Sequence, residues 1–377
     1  GRLPVRSGMC SDKNRVLFPN SLHGLPESEV TLAEQLKKAN YATAAIGKWH
    51  LGNKPQYLPT NNGFDYYFGI PYSNDMDKVT DKSYWDFEDD IQTSYFNVPI
   101  MRNTSIIERP AEQHTITKRY TEEAISFIKK HKDQPFFVYL AHNLPHIPLF
   151  ASKDFEGKSK RGLYGDVIAE IDHGVGQILA ELKADGLDKN TIVVFTSDNG
   201  PWLPFKTHGG SAGLLRAGKG TTWEGGMREP CIFWSPEKIK PAIIEDLGTT
   251  MDLFTTFSTM AGVPVPNDRV IDGQDLSGTL LHQDPSPRNE IFYYRGPTLY
   301  ATRLGAYKAH FITEGEYGMF GEKEIHDPPI LYNVDQDPSE QYDIAADHPE
   351  VIQQINAAVK IHQSMLVKGK DQLADRE

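Results

Sequence analysis

Ala45-Ile46-Gly47-Lys48-Trp49-His50-Leu51-Gly52 ends a short apolar run in glycine and then sets a lysine and a histidine two residues apart. If a strand runs on to His50, side chains 48 and 50 leave the same face, because strand side chains alternate. A permanent cation then stands beside a titratable imidazole at a strand end, where open α/β sheets build their sites. Taken alone, the stretch reads as a surface lysine and a half-buried histidine at a strand–loop junction.

The flanking segments supply the context. Thr31-Leu32-Ala33-Glu34 is a capping-box pattern that opens a helix to about Ala39, with Asn40 as its stop, and Tyr41 to Ile46 follows as a strand. Residues 53–110 are rich in Asn, Asp, Pro and Tyr, and their weak periodicity predicts long loops over a site. Asn103-Thr104-Ser105 is a glycosylation sequon, meaningful in a eukaryotic secretory setting. Apolar residues at Ile116, Tyr120, Ala124, Phe127 and Ile128 keep helical spacing, and Phe136–Leu140 reads as a strand buried on both faces. The same order repeats with a helical stripe from Val167 to Leu182 and a strand from Ile192 to Phe195, then a strand from Cys231 to Trp234 and a helix around Leu253–Phe257.

Alternating helices and buried strands predict an α/β fold with a mostly parallel sheet between helices. After residue 287 short strands at Ile291–Tyr294, Leu299–Arg303 and Lys308–Ile312 form a meander closed by a helix through Ile352, Ile355 and Val359. We therefore place a larger domain at 1–287 and a small α+β subdomain with an antiparallel sheet at 288–377.

The net charge of −12 over 377 residues argues against nucleic acid or an anionic membrane as partner, yet a local cationic pocket for a small anion is compatible with it. No apolar run approaches the roughly 20 residues that span a bilayer. The two cysteines, Cys10 and Cys231, make no disulfide framework, and the apolar run around Cys231 predicts a buried core thiol.

Three further strand ends carry chemistry. His146 lies between two prolines in His142-Asn143-Leu144-Pro145-His146-Ile147-Pro148, a loop position suited equally to general acid/base work and to a structural bond with a carbonyl. Asp198 and Asn199 follow the 192–195 strand and offer oxygen ligands to a hard cation, although Asp-Asn-Gly is also an excellent turn and two ligands do not make a site. Lys219 sits between Gly218 and Gly220, where an ammonium and backbone donors could meet an oxyanion. The residue after that Gly-Lys is Gly220 rather than Ser or Thr, so the phosphate-loop pattern is not met. No nucleophile elbow and no zinc spacing occurs.

Taken in order, these segments resemble the sulfatase family. Asn40 through His50 is similar to its second signature; Pro71-Tyr72-Ser73, His146-Ile147-Pro148, Asp198-Asn199-Gly200, Gly218-Lys219 and Glu224-Gly225-Gly226-Met227-Arg228-Glu229-Pro230 follow in the family's sequence. Leu331-Tyr332-Asn333 through Glu340 looks like its C-terminal motif. Pro55-Gln56, Gly63-Phe64-Asp65 and Met251–Thr256 resemble the arylsulfatase A and N-acetylgalactosamine-6-sulfatase members. The resemblance implies an alkaline-phosphatase-like core, one Ca²⁺ per site, and hydrolysis of a sulfated sugar or aryl sulfate through a formylglycine made from cysteine. It implies that Lys48 and Lys219 bind sulfate oxygens, that His50 contacts the formylglycine hydrate, and that His146 protonates the leaving alcohol. Ser73 would line the pocket, and Asp198 and Asn199 would hold calcium. A periplasmic, secreted or lysosomal location is expected from the same likeness, and oligomerisation stays open.

One part of the family pattern is not met. Cys-x-Pro-Ser-Arg precedes Thr-Gly-Arg in the family, and Gly1-Arg2 resembles the end of the latter; neither Cys10 nor Cys231 stands in that context. The nucleophile, the paired aspartates and the first strand are thus expected upstream, and this chain alone is expected to be inactive. Two alternatives stay in view: a phosphodiesterase or phosphonate hydrolase of the same superfamily, and a non-catalytic relative that binds sulfated glycans.

Overall fold

The computed structural model describes residues 1–86, 91–317 and 321–377. The helices are α1 (Pro4–Ser7), α2 (Leu32–Lys37), α3 (Ile116–Lys130), α4 (Gly162–Ala184), α5 (Glu224–Met227), α6 (Asp252–Met260), α7 (Ser277–His282) and α8 (Pro349–Ser364). The strands are β1 (Ala42–Lys48), β2 (Tyr66–Ile70), β3 (Ile100–Arg102), β4 (Ser105–Glu108), β5 (Phe136–Ala141), β6 (Val193–Thr196), β7 (Cys231–Trp234), β8 (Glu290–Arg295), β9 (Thr298–Leu304), β10 (Tyr307–Thr313) and β11 (Glu324–Asn333).

β1 is the centre of a five-stranded sheet ordered β4-β3-β2-β1-β5, parallel to both β2 and β5, with β3 and β4 antiparallel at one edge. Its alternation serves two covered faces. Ala42, Ala44 and Ile46 pack with Phe68, Ile116, Tyr120 and Phe127 on the α3 side, while Ala45 joins Ala33, Tyr67 and Phe64 on the α2 side. α2 begins at the predicted capping box, with Glu34 N–H donating to Thr31 Oγ1 at 3.1 Å and Thr31 N–H to Glu34 Oε2 at 2.8 Å. Gly47 takes φ +113°, and a Cβ there would lie 1.9 Å from the Ala141 carbonyl oxygen. Only glycine lets β1 twist this close to β5 before Lys48.

The structure corrects several expectations. The 53–110 region holds three strands of the main sheet as well as loops; its part at 87–90 lies outside the described residues. β5 is half-buried rather than sealed on both faces: Tyr139 is 45% exposed, because the edge of β5 away from β1 has no strand partner among the described residues. β6 does not join the main sheet either; it pairs antiparallel with β7, and Phe195 and Ile232 on this pair are 43% and 59% exposed. Cys231 is accordingly exposed and not a core thiol.

The last sheet runs β11-β10-β9-β8, antiparallel throughout, with α8 packed on Ala309 and Leu331. β11 carries Pro328 and Pro329, which an edge strand tolerates because its outer N–H groups need no partner.

Candidate active site

Four loops leaving the carboxyl ends of strands converge. β1 ends at Lys48, so alternation does not place His50. The chain instead stays hydrogen-bonded to β2's continuation, with Trp49 N–H donating to Ile70 O (3.0 Å) and His50 N–H to Pro71 O (3.1 Å), and His50 turns inward at φ +58°. Its Nε2 lies 2.8 Å from the Leu17 carbonyl. A carbonyl only accepts, so Nε2 carries the proton and Nδ1 is left as an acceptor. Burial first, then Lys48, holds this imidazole down at about 3, against the Leu17 bond.

After β5, His146 Nδ1 donates to the Ile147 carbonyl at 2.6 Å, leaving Nε2 unprotonated in the neutral ring. Burial, with Lys219 and Lys48, pushes its pKa well below the ordinary value. After β6, Asp198 remains exposed, and its charge reaches Lys48, Lys219, Glu229 and Tyr139. Lys219 is presented by a loop held by three backbone bonds: Lys219 N–H to Pro201 O (2.9 Å), Gly225 N–H to Arg216 O (2.8 Å) and Gly200 N–H to Gly226 O (3.2 Å). Gly225 has no room for a side chain, since a Cβ would sit 2.2 Å from the Ala217 carbonyl oxygen.

The two lysines set the electrostatics. Burial lowers Lys48, opposed by Asp198 and Asp75, while burial and Lys48 bring Lys219 down to about 8. Among the described residues neither ammonium has a carboxylate within salt-bridge distance. Two desolvated cations near each other without close counter-charges attract an anion. Lys219 Nζ instead lies 4.8 Å from the centre of the Trp202 ring.

Of the seven residues singled out in the sequence, Lys48 ends β1 and the other six lie on these loops, and the charges of Lys48 and Lys219 act on His50 and His146 while Asp198 acts on both lysines. Ser73 is 2% exposed, and its hydroxyl faces the Asp75 carboxyl. Two functional groups escaped sequence reading. Asp75, on the loop after β2, is buried with Oδ1 unpartnered; burial raises its carboxyl against the pull of Ser73 and both lysines. Glu229, next to Asp198, is raised to about 7 by burial and by that neighbour.

The donor chemistry at Asp198 and Asn199 suits a hard cation: a carboxylate that takes no hydrogen bond or salt bridge among the described residues adjoins an amide oxygen. Among the described residues no group of three or more His, Cys, Asp or Glu assembles as a complete metal site. Ca²⁺ takes about six to eight oxygens, so these two residues alone would supply only part of a shell.

Comparison with known proteins agrees over the whole chain. The Sulfatase family model matches residues 2–263, and a second, the C-terminal region of aryl-sulfatase, matches 286–377. N-acetylgalactosamine-6-sulfatase of Mus musculus is 39% identical over 99% of this chain and 77% of its own length. Arylsulfatase A of Homo sapiens is 37% identical over 98% of this chain and 80% of its own. Among solved structures, PsFucS1 sulfatase from Pseudoalteromonas superposes with a TM-score of 0.83 at 26% identity, covering 100% of this chain and 79% of that one. The sheet flanked by helices, with its antiparallel C-terminal sheet, is thus the alkaline-phosphatase-like architecture these proteins share. With both parts of its sequence matched and its strand-end loops converging on one cationic site, this chain belongs to the sulfatase family.

Proposed function

We propose that the chain binds the sulfate group of a sulfated sugar or aryl sulfate between Lys48 and Lys219 and takes part in its hydrolysis. The observation that carries this reading is the pair of half-buried lysines with no close carboxylate among the described residues. An incoming sulfate ester supplies the missing counter-charge. It also offsets the repulsion of Lys219 and Lys48, which adds to burial in lowering His146, and so favours a proton on Nε2 facing the leaving oxygen. His50, fixed by Leu17, points an acceptor Nδ1 into the same site, where it would orient the attacking group. Asp75 opposes the loss of charge from the lysines, and Ser73 lines the pocket beside it.

Asp198 and Asn199 would hold Ca²⁺, which when bound would draw negative charge from the ester oxygens. The open edges of β5 and β6 support a further element of the proposal. A strand entering there would bring the nucleophile, a formylglycine, and additional carboxylates to the carboxyl end beside Asp198.

The test has two arms. Calorimetric titration of this chain with inorganic sulfate should show binding that is lost in Lys48→Met; no binding to the parent chain overturns the anion site. The 377-residue chain alone should turn over no 4-nitrophenyl sulfate, and calcium-dependent turnover by it would refute the proposed source of the nucleophile. A version that includes the upstream segment should prefer 4-nitrophenyl sulfate to the matching phosphate diester; the reverse preference establishes the phosphodiesterase alternative.

A further inference from the structure

Residues 209–223, which carry Lys219, form neither helix nor strand, so the ammonium stands only where the loop around it is gripped. The neck of that loop closes where Gly225 N–H donates to the Arg216 carbonyl at 2.8 Å. One residue of the C-terminal region holds both sides of the neck. The Glu340 carbonyl accepts from Arg216 Nη1 at 2.6 Å, and Glu340 Oε2 accepts from Glu224 N–H at 2.6 Å. Beside it, Ser339 Oγ donates to the Leu214 carbonyl at 2.6 Å. Glu340 Oε1 faces His310 Nε2 at 2.7 Å and Lys308 Nζ at 3.3 Å, both on β10, so the grip is tied to the C-terminal sheet. Glu340 is fully buried and lies at φ +49°, a left-handed conformation that a residue with a side chain keeps only where its surroundings over-determine it. The Arg216 guanidinium is held 3.7 Å from the centre of the Trp223 ring, which in turn lies 4.2 Å from the His310 ring.

We propose that Glu340 is a positioning residue for the sulfate receptor: by holding the neck between Arg216 and Glu224 it aims Lys219 at the anion. The inference rests on the reading of Lys219 as a sulfate-binding group. A lysine ammonium is a point charge on a long flexible stem, so the loop beneath it decides how much order must be imposed when an anion arrives. A loop fixed beforehand spares that cost. The charges that act on Lys219 are those of Lys48, Asp198 and Asp75. The Glu340 carboxylate is instead spent on Glu224 N–H, His310 and Lys308, so its influence on Lys219 runs through the backbone. Tyr317, beyond β10, adds a second hold on the same lysine. Its carbonyl accepts the Trp202 indole N–H at 2.7 Å, and the centre of the Trp202 ring lies 4.8 Å from Lys219 Nζ. The C-terminal region thus acts on the anion site by building the loop that carries one of its cations.

The whole chain serves for the test, with two readouts. Calorimetric titration with inorganic sulfate gives the affinity. Labelling of Lys219 with acetic anhydride across about pH 6 to 11, read by mass spectrometry, gives its titration midpoint without any ligand. That midpoint should lie at about 8 in the parent chain. Glu340→Ala and Arg216→Met should each weaken sulfate binding about 3- to 10-fold. Each should also move the Lys219 midpoint up by about one pH unit, as the loop opens to water. In a Lys219→Met background neither substitution should weaken sulfate binding further; an undiminished loss there overturns the proposal. Ile355→Ala, buried in α8 beneath the same sheet, lowers stability without touching the neck and should leave both readouts unchanged. If it moves them as far as Arg216→Met does, the role of Glu340 is only structural and the proposal falls. Thermal melting reports whether each variant folds; if Glu340→Ala does not, Arg216→Met decides, because the Arg216 side chain lies at the surface. If the parent binds no sulfate, the anion reading fails and the labelling midpoint still decides. A shift in Arg216→Met supports the positioning of Lys219, and an unchanged midpoint refutes it.

Discussion

Two lysines are taken out of water in this protein, with opposite results. Lys219 at the strand ends is brought down to about 8, whereas Lys308 on β10, with no exposed surface at all, is raised above its ordinary value. Burial lowers both; partners decide. Lys308 Nζ lies 2.8 Å from Glu224 Oε1 and 3.3 Å from Glu340 Oε1, and Glu340 also accepts from His310 at 2.7 Å and from Glu224 N–H at 2.6 Å. Every charge there is answered, and the cluster joins β10 to α5, just beyond the Lys219 loop. At the strand ends the charges are left for something else to answer. One region is a joint and the other is the receptor proposed above.

Replacement of Lys308 is the severest trial of that contrast. Lys308→Met leaves Glu224 and Glu340 buried without their cation and should cost about 3–5 kcal/mol in urea unfolding. Lys219→Met removes a repelled cation, so the urea midpoint should hold or rise. Sulfate affinity should fall about 10- to 100-fold, the value of a charge-assisted hydrogen bond of about 1.5–3 kcal/mol. Equal destabilisation by the two substitutions would erase the distinction between joint and receptor.

The pH dependence sharpens it. Sulfate binds the ammonium form, so its affinity should drop as pH rises through about 8, where Lys219 loses its proton. Stability moves the other way: between about 8 and 10.5 the unfolded chain holds a proton at this residue that the folded chain has shed, so Lys219 favours folding more as pH rises. Lys308, raised in the fold, contributes stability that is present below its unfolded pKa and is lost only at still higher pH. Titrations at pH 7, 8 and 9 in wild type and Lys219→Met should differ only in the loss of the pH-dependent binding step. The smallest effect belongs to an exposed pair. Lys37 and Asp65, 2.6 Å apart with both side chains 44% exposed, should lose no more than about 0.5 kcal/mol in Lys37→Ala.

Much of the receptor was legible because it follows one rule: an apolar run ends, and polar residues begin at once. Lys48, His146 and Asp198 each follow a run that propensity marks clearly. Asp75 obeys the same rule, with Ser73-Asn74-Asp75 just beyond Tyr66–Ile70, but β2 is five residues long and set among Asn, Asp and Pro. Reading Tyr66-Tyr67-Phe68-Gly69-Ile70 as a strand would have exposed it. β11 was hidden by Pro328-Pro329, which forbid a central strand and are harmless at an edge. The buried joint was beyond reach for another reason. Glu224, Lys308 and Glu340 are far apart in sequence, and a lone charged residue in a strand or turn carries no mark of burial. The exposed faces of β5, β6 and β7 were misread because hydrophobic runs report what a strand prefers to touch rather than what covers it.

Trp202 stands at the proposed anion site, its ring within reach of the Lys219 ammonium, the His146 imidazole and the Phe205 ring. An indole's excited state responds to nearby charge, so this side chain is a built-in optical gauge of the site. Filling the lysine pair with sulfate, or protonating His146, changes the field at one chromophore, and a Trp202→Phe control removes that signal from the background of the other four tryptophans. Occupancy of the receptor can thus be followed by fluorescence in real time, without a turnover event.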